Sequence, residues 1–267
     1  MKRILLLSAL LLSPALADHH GDAKKTQKKA AVDAPETTPA KEEWIQLFNG
    51  KDLTGWTPKF SGYKLGENHN KTFGVKDGYL TVDYSNYEKW DGAFGHLFYK
   101  APYSHYRLRA TYRFAGDQVT DGPEWAQKNN GLMVHCQDPK TMKIDQNFPK
   151  CIEVQLLGSL KEGDNRGTLN IVTPGTHVVW KGELKKQHVL DIKGPAIADD
   201  RWVTVEVEMQ GDKAKHLHDG KVVAEYSDIQ LDDGTPLTSG YISIQGETAP
   251  IQFKSIEILP LEENEAP

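Results

Sequence analysis

Glu153 is the residue of this sequence whose setting most suggests chemistry. It stands in Cys151-Ile-Glu-Val-Gln-Leu-Leu157, where Glu153 and Gln155 alternate with Val154 and Leu156. In a strand the two pairs face opposite ways. A charged carboxyl among apolar neighbours is costly unless paired. Burial would raise its proton affinity and equip it as a general base, while an ion pair with a strand arginine is the structural alternative. Two other segments repeat the pattern. In Tyr241-Ile-Ser-Ile-Gln245, Tyr241, Ser243 and Gln245 oppose Ile242 and Ile244. In Asn129-Asn-Gly-Leu-Met-Val-His135, Asn129, Met133 and His135 oppose Leu132 and Val134. If the three strands are neighbours, they make an amide-rich concave surface. Amides and carboxylates on a rigid sheet suit several sugar hydroxyls, because each donates or accepts in a fixed direction. The competing reading is a solvated outer face.

The elements that would carry these residues read as strands from Trp44 onward, with a period of two rather than 3.6. Tyr106, Leu108, Ala110, Tyr112 and Phe114 share one face, opposite Arg107, Arg109 and Arg113. Val203, Val205, Val207 and Met209 oppose Thr204, Glu206 and Glu208. Asp77-Gly78 and Asp219-Gly220 are turn signals, the second a two-residue hairpin signature. Further strands are expected over 94–99, 131–136, 151–157, 168–172, 241–245 and 252–259. About a dozen short strands without an amphipathic helix favour two packed sheets, a sandwich or jelly roll. Asp138–Lys150 is long enough to be a functional loop.

Composition narrows the function classes. The chain has 267 residues, 26% charged and 38% hydrophobic, with a formal charge of −5. Without a basic excess, a nucleic-acid partner is not expected. Met1-Lys-Arg3, the apolar run Ile4–Leu12, Pro14 and Ala15-Leu-Ala17 read as a cleaved secretory signal over 1–17, too short to span a bilayer. This implies a periplasmic or secreted protein without membrane insertion. Residues 18–41 lack large apolar side chains and read as a disordered leader. The body is expected over 42–261, with a short tail over 262–267.

Cys136 and Cys151 bracket about 15 residues, and a disulfide between them would stabilise the fold by roughly 3 kcal/mol in the chain-entropy model. Strand parity sets the two on different faces, so bridging requires one to sit beyond its strand's regular part. His19-His20 reads as a solvated tail, and His216-x-His218 as an exposed strand rather than a metal pair. No metal or cofactor is expected, although a structural Ca²⁺ would leave no clear trace among scattered carboxylates. Trp56, Trp90, Trp125 and Trp180 have the side chain that stacks on sugar rings, of which Trp180 is taken as the candidate; each is otherwise a core residue.

Phe48-Asn-Gly-Lys-Asp-Leu-Thr-Gly-Trp56, Phe73-Gly-Val-Lys-Asp-Gly-Tyr-Leu80, Asn129-Asn-Gly-Leu132, Glu153-Val-Gln155 and Gly240-Tyr-Ile-Ser-Ile-Gln245 occur in this order. The set resembles the 3-keto-disaccharide hydrolase domain family over nearly all of residues 44–261. The resemblance implies an all-β, concanavalin A-like jelly-roll sandwich of two antiparallel sheets, and cleavage of glycosides whose sugar carries a ketone at carbon 3. Asn130 and His135 replace a frequent Ser and Arg of the family, and Glu247-Thr-Ala-Pro250 replaces a His-before-Pro pattern. The laminarinase-type glucanases carry Glu-x-Asp-x-x-Glu on the corresponding strand. Glu153-Val-Gln155-Leu-Leu-Gly158 lacks the second and third carboxylates, which disfavours double displacement from that strand. A 3-keto sugar needs one base for the acidified proton at carbon 2, donors at the ketone and an acid for the leaving group. The candidates are Glu153 as base or acid, His135 or Glu247 as second proton carrier, and Asn129, Gln155 and Gln245 for hydroxyls or ketone. The expected partner is an oligosaccharide or glycoside. A non-catalytic carbohydrate-binding module and a structural spacer are the alternatives.

Overall fold

The computed structural model describes residues 43–198 and 201–263. The expected signal over 1–17, the leader over 18–41 and most of the C-terminal tail lie outside them. The regular structure of the described residues is strands and three single-turn 3₁₀ segments, with no α-helix. None of these segments is long and apolar enough to cross a membrane as a helix.

The strands form two antiparallel sheets of ten and seven. The larger sheet runs Glu183–Lys185, Thr176–Trp180, Lys221–Leu231, Lys213–His218, Val203–Gln210, His105–Phe114, Ile251–Pro260, Tyr79–Val82 and Phe73–Lys76, with Ile45–Gln46 paired to Ile251–Pro260. The smaller runs Val189–Leu190, Ile171–Val172, Ile152–Leu157, Asn129–Cys136, Tyr241–Gly246, Gly95–Tyr99 and Trp56–Phe60. Neighbours in space are mostly not neighbours in sequence, which is the jelly-roll connectivity. The fold is a concanavalin A-like sandwich.

The alternation read from the sequence sets the core. Tyr106, Leu108, Ala110, Tyr112 and Phe114 are buried, as are Val203, Val205, Val207 and Met209 beside them. They meet Leu132, Val134, Ile152, Val154, Leu156, Ile242 and Ile244 of the smaller sheet. The outward arginines are engaged where they stand. Arg107 Nη2 donates to Glu206 Oε2 at 2.6 Å, Arg109 Nε to Glu257 Oε2 at 2.9 Å and Arg113 Nε to Gln252 Oε1 at 3.0 Å. Trp44 lies against Arg109 and Trp202 against Arg113. The strand arginines are therefore not partners of Glu153. Asp219 and Gly220 take φ of 49° and 72°, as the two central positions of a type I′ hairpin require.

Two of the smaller sheet's strands, Asn129–Cys136 and Gly95–Tyr99, are buried at every position. One face lies on the core and the other is roofed by loops. Against that roof Phe98, Met133, Cys136, Met142 and Cys151 form a second, smaller apolar cluster.

A bulge decides who joins it. Between Ser243↔Met133 and Tyr241↔Cys136 one strand advances two residues and the other three, and His135 absorbs the extra residue at φ 50°. Parity is reset there. Cys136 moves to the face of Cys151, and both are buried free thiols. His135 turns the other way, into the core, with its ring 5.9 Å from that of Tyr106. His216 also departs from its sequence reading: it is fully buried. Its Nδ1 meets the Leu169 carbonyl and its Nε2 the Tyr226 hydroxyl, both at 2.8 Å.

Candidate functional site

The roofed face of the smaller sheet holds a cavity of about 460 Å³, within the range of small-molecule sites. Glu153, Gln155 and Asn129 line it from adjacent strands, and Glu247 from just beyond Tyr241–Gly246. Phe148, from the 138–150 loop, and Trp125 form one wall; Val172, Pro174, His188 and Val189 form the other. Gln245 joins the group by donating from Nε2 to Glu247 Oε1 at 3.3 Å. Of the residues read from the sequence, the fold thus gathers Asn129, Glu153, Gln155, Gln245 and Glu247.

Two others are elsewhere. His135 is sealed in the core by the bulge that parity could not register, facing the Ser104 and Leu237 carbonyls. Trp180 ends a strand of the larger sheet, beside Lys181, and does not line the cavity. The cavity's imidazole is His188 and its exposed tryptophan Trp125, which is 55% accessible. Trp125 stacks on Phe94 at 6.3 Å, and Phe94 meets Phe148 at a tilt at 4.9 Å. Arg166 supports this wall by donating to the carbonyls of Trp125 and Gly158 at 3.3 and 3.2 Å. An apolar ring standing in solvent at a cavity mouth is a surface for a sugar face. Trp125→Ala is expected to raise KM for a glycoside roughly 2- to 10-fold while kcat holds, the scale of one ring-stacking contact.

Glu153 is 4% exposed and Glu247 3%. The strand bearing Glu153 lies against Asn129–Cys136, where Met133 stands opposite Glu153 and Gly131 opposite Gln155. The carboxyl leans diagonally over Gly131: a Cβ there would lie 2.5 Å from Glu153 Cγ and 2.8 Å from Oε1. Glycine is required here for space, and no other side chain leaves the carboxyl where it is.

Burial raises the proton affinity of both carboxyls. Glu153 is pushed well above the usual range by desolvation, and further by the charge of Glu247. Desolvation lifts Glu247 to about 8, with Arg166 opposing. Two buried carboxyls within each other's field cannot both ionise near neutrality, so at least one of them keeps its proton there. The cavity thus holds an acid near neutrality, and a base once one of the two carboxyls loses its proton.

This has a consequence for stability. The folded pKa of Glu247, about 8, exceeds its ordinary 4.5. Its contribution is therefore fully present below pH 4.5 and lost as pH rises through 8. The melting temperature is expected to fall between about pH 5 and 9, and less steeply in a Glu153→Gln/Glu247→Gln double variant.

The amides complete the site. Gln155 Oε1 accepts from Asn170 Nδ2 at 3.0 Å, which leaves the Gln155 NH₂ as its donor toward the cavity. Asn129 Oδ1, Gln245 Oε1 and Glu247 Oε2 are buried without a partner among the described residues. Buried polar atoms are normally satisfied, and these three acceptors at or beside one cavity are groups that a polar ligand or water there would satisfy. Among the described residues no three His, Cys, Asp or Glu side chains converge as a metal site.

A Parabacteroides distasonis protein provisionally named a glycosyl hydrolase has a similar structure: TM-score 0.50, 16% identity, covering 82% of this chain and 94% of its own. A second structure of that name from the same organism gives 0.48, 18%, 82% and 100%. A Bacillus licheniformis β-glucanase gives 0.46, 12%, 84% and 100%. At these identities the likeness bears on fold alone. No curated protein sequence matches the chain. The profile of the 3-keto-alpha-glucoside-1,2-lyase-like domain matches residues 43–259, through all the strands just described and every residue of the cavity, and the chain belongs to that family.

Proposed function

We propose that the protein cleaves the glycosidic bond of a 3-keto-glycoside by elimination. The observation that carries this reading is the pair of buried carboxyls, Glu153 and Glu247, with raised proton affinities in one amide-lined cavity. The ketone at carbon 3 acidifies the hydrogen on carbon 2. Glu153, once it has lost its own proton to solvent, takes the carbon-2 proton, and the C–H electron pair enters an enolate on the ketone. The Gln155 amide donates to the enolate oxygen, where charge develops. The enolate then re-forms the ketone, a C1–C2 double bond forms, and the C1–O bond breaks. Protonated Glu247 supplies the proton that the departing oxygen needs. The products are an enone and a free alcohol or sugar. Water adding across the double bond afterwards completes a net hydrolysis.

A binding module would account for the amides and the exposed tryptophan equally well. It gives no reason to bury two carboxyls in one cavity, where the charge of Glu247 makes Glu153 costlier to ionise. The basic start, apolar run and Ala15-Leu-Ala17 support action outside the cytoplasm.

The test is incubation with matched 3-keto and unoxidised disaccharides, followed by product analysis. Release of sugar from the 3-keto member alone is the expected result. Cleavage of both, or retention of both without products, removes the elimination reading.

A further inference from the structure

His96 is fully buried, and neither Nδ1 nor Nε2 has a hydrogen-bond partner among the described residues. His216, equally buried, has both nitrogens engaged. The nitrogens of His135 also lack a hydrogen-bond partner among the described residues. That ring, however, lies in the core between the sheets, facing two carbonyls, whereas His96 lies on the cavity's side of its sheet. An unpaired buried imidazole costs stability, and its retention calls for a reason.

Its place in the sheet supplies one. His96 stands opposite Gln245 on one neighbouring strand and Lys59 on the other. Residues directly opposite share a face. The carboxyl of Glu153 lying over Gly131, then Gln245, His96 and Lys59 make one polar row across the sheet. With strands about 4.8 Å apart, His96 stands about 10 Å from Gly131 along that row. Lys59 is committed, its Nζ donating to the Phe60 and Ile144 carbonyls at 2.6 and 3.1 Å. Phe148 divides the row. Its half-buried ring lines the cavity on one side and meets the His96 ring edge-on at 5.7 Å on the other. Burial, and then Lys59, hold the imidazole pKa down to about 3, so the ring offers one donor and one acceptor.

We infer that His96 is a substrate-contacting residue for the second sugar ring of a disaccharide, reached when the Phe148 side chain turns aside. This rests on the reading of the cavity as a 3-keto-glycoside site and makes a disaccharide its preferred ligand. The donor and acceptor of the imidazole bind neighbouring hydroxyls of that ring.

Calorimetry on a Glu153→Gln parent tests this without turnover, using a 3-keto-disaccharide and 3-keto-glucose as probes. Adding His96→Leu is expected to weaken the disaccharide about tenfold, the worth of two hydrogen bonds. It leaves the monosaccharide unchanged and raises the melting temperature. His96→Gln, which keeps a donor and an acceptor, retains most of the affinity and serves as the folded comparison. Unchanged disaccharide binding in His96→Leu, equal losses for both probes, or a His96→Gln variant as weak as His96→Leu overturns the assignment. A parent that binds neither probe sinks the carbohydrate reading itself and the role of His96 with it. That failure is distinct because it shows before His96 is touched.

Discussion

Glu153→Gln is expected to lower kcat on a 3-keto-glycoside by about 10²- to 10⁴-fold, the span of a positioned acid or base, with KM little changed. The amide has the shape of the carboxyl and still fits over Gly131, so hydroxyl contacts survive. What it loses is the capacity to accept a proton. Glu153 is 4% exposed and held protonated-prone by desolvation and by Glu247. Removing its charge also relieves Glu247. The variant should therefore be at least as stable as the native protein at pH 8, and lost activity cannot be blamed on unfolding. Steady-state kinetics beside a melting curve checks both halves. Full activity in the variant would strike Glu153 from the mechanism.

Gly131→Ala is expected to reduce kcat about 10²-fold and to destabilise the fold by about 1–3 kcal/mol. The added methyl group would sit 2.5 Å from Glu153 Cγ, so the carboxyl must swing away. A misplacement near 1 Å costs about this much in rate, and overpacking a filled site about this much in stability. The two variants act through the same carboxyl. Their effects on kcat should not add: Gly131→Ala made in the Glu153→Gln background should cost little more. Additive losses in the double variant would mean that Gly131 matters only to folding.

The sandwich and half of the site were legible because burial imposes a period of two. Alternation around Leu108, Val205, Val154 and Ile244 sufficed to find the strands and to set Glu153, Gln155, Asn129 and Gln245 on the face away from the core. Glu247 emerged only through the family resemblance, since it follows its strand and has no alternating neighbour. Parity failed at His135 because one residue with φ 50° shifts every side chain beyond it to the other face. That same shift brought Cys136 to Cys151, the displacement a bridge between them would need. Trp180 failed for another reason: an aromatic residue near a strand end says nothing about which sheet it joins. The cavity walls come from Trp125, Phe148, Pro174 and His188, in segments far apart in sequence. No local pattern records that such loops meet. Gly131 did carry a signal, a glycine inside a strand, which marks the close approach of another group.

The central claim is that bond cleavage begins with loss of the hydrogen on carbon 2 to Glu153. It is tested most directly with a 3-keto-disaccharide deuterated at carbon 2, following label and released sugar together by mass spectrometry. Elimination predicts that deuterium passes to solvent in step with sugar release, and that the Glu153→Gln variant slows both together. A product sugar that keeps its deuterium while the glycosidic bond is broken would contradict the account, because direct displacement at carbon 1 leaves carbon 2 untouched.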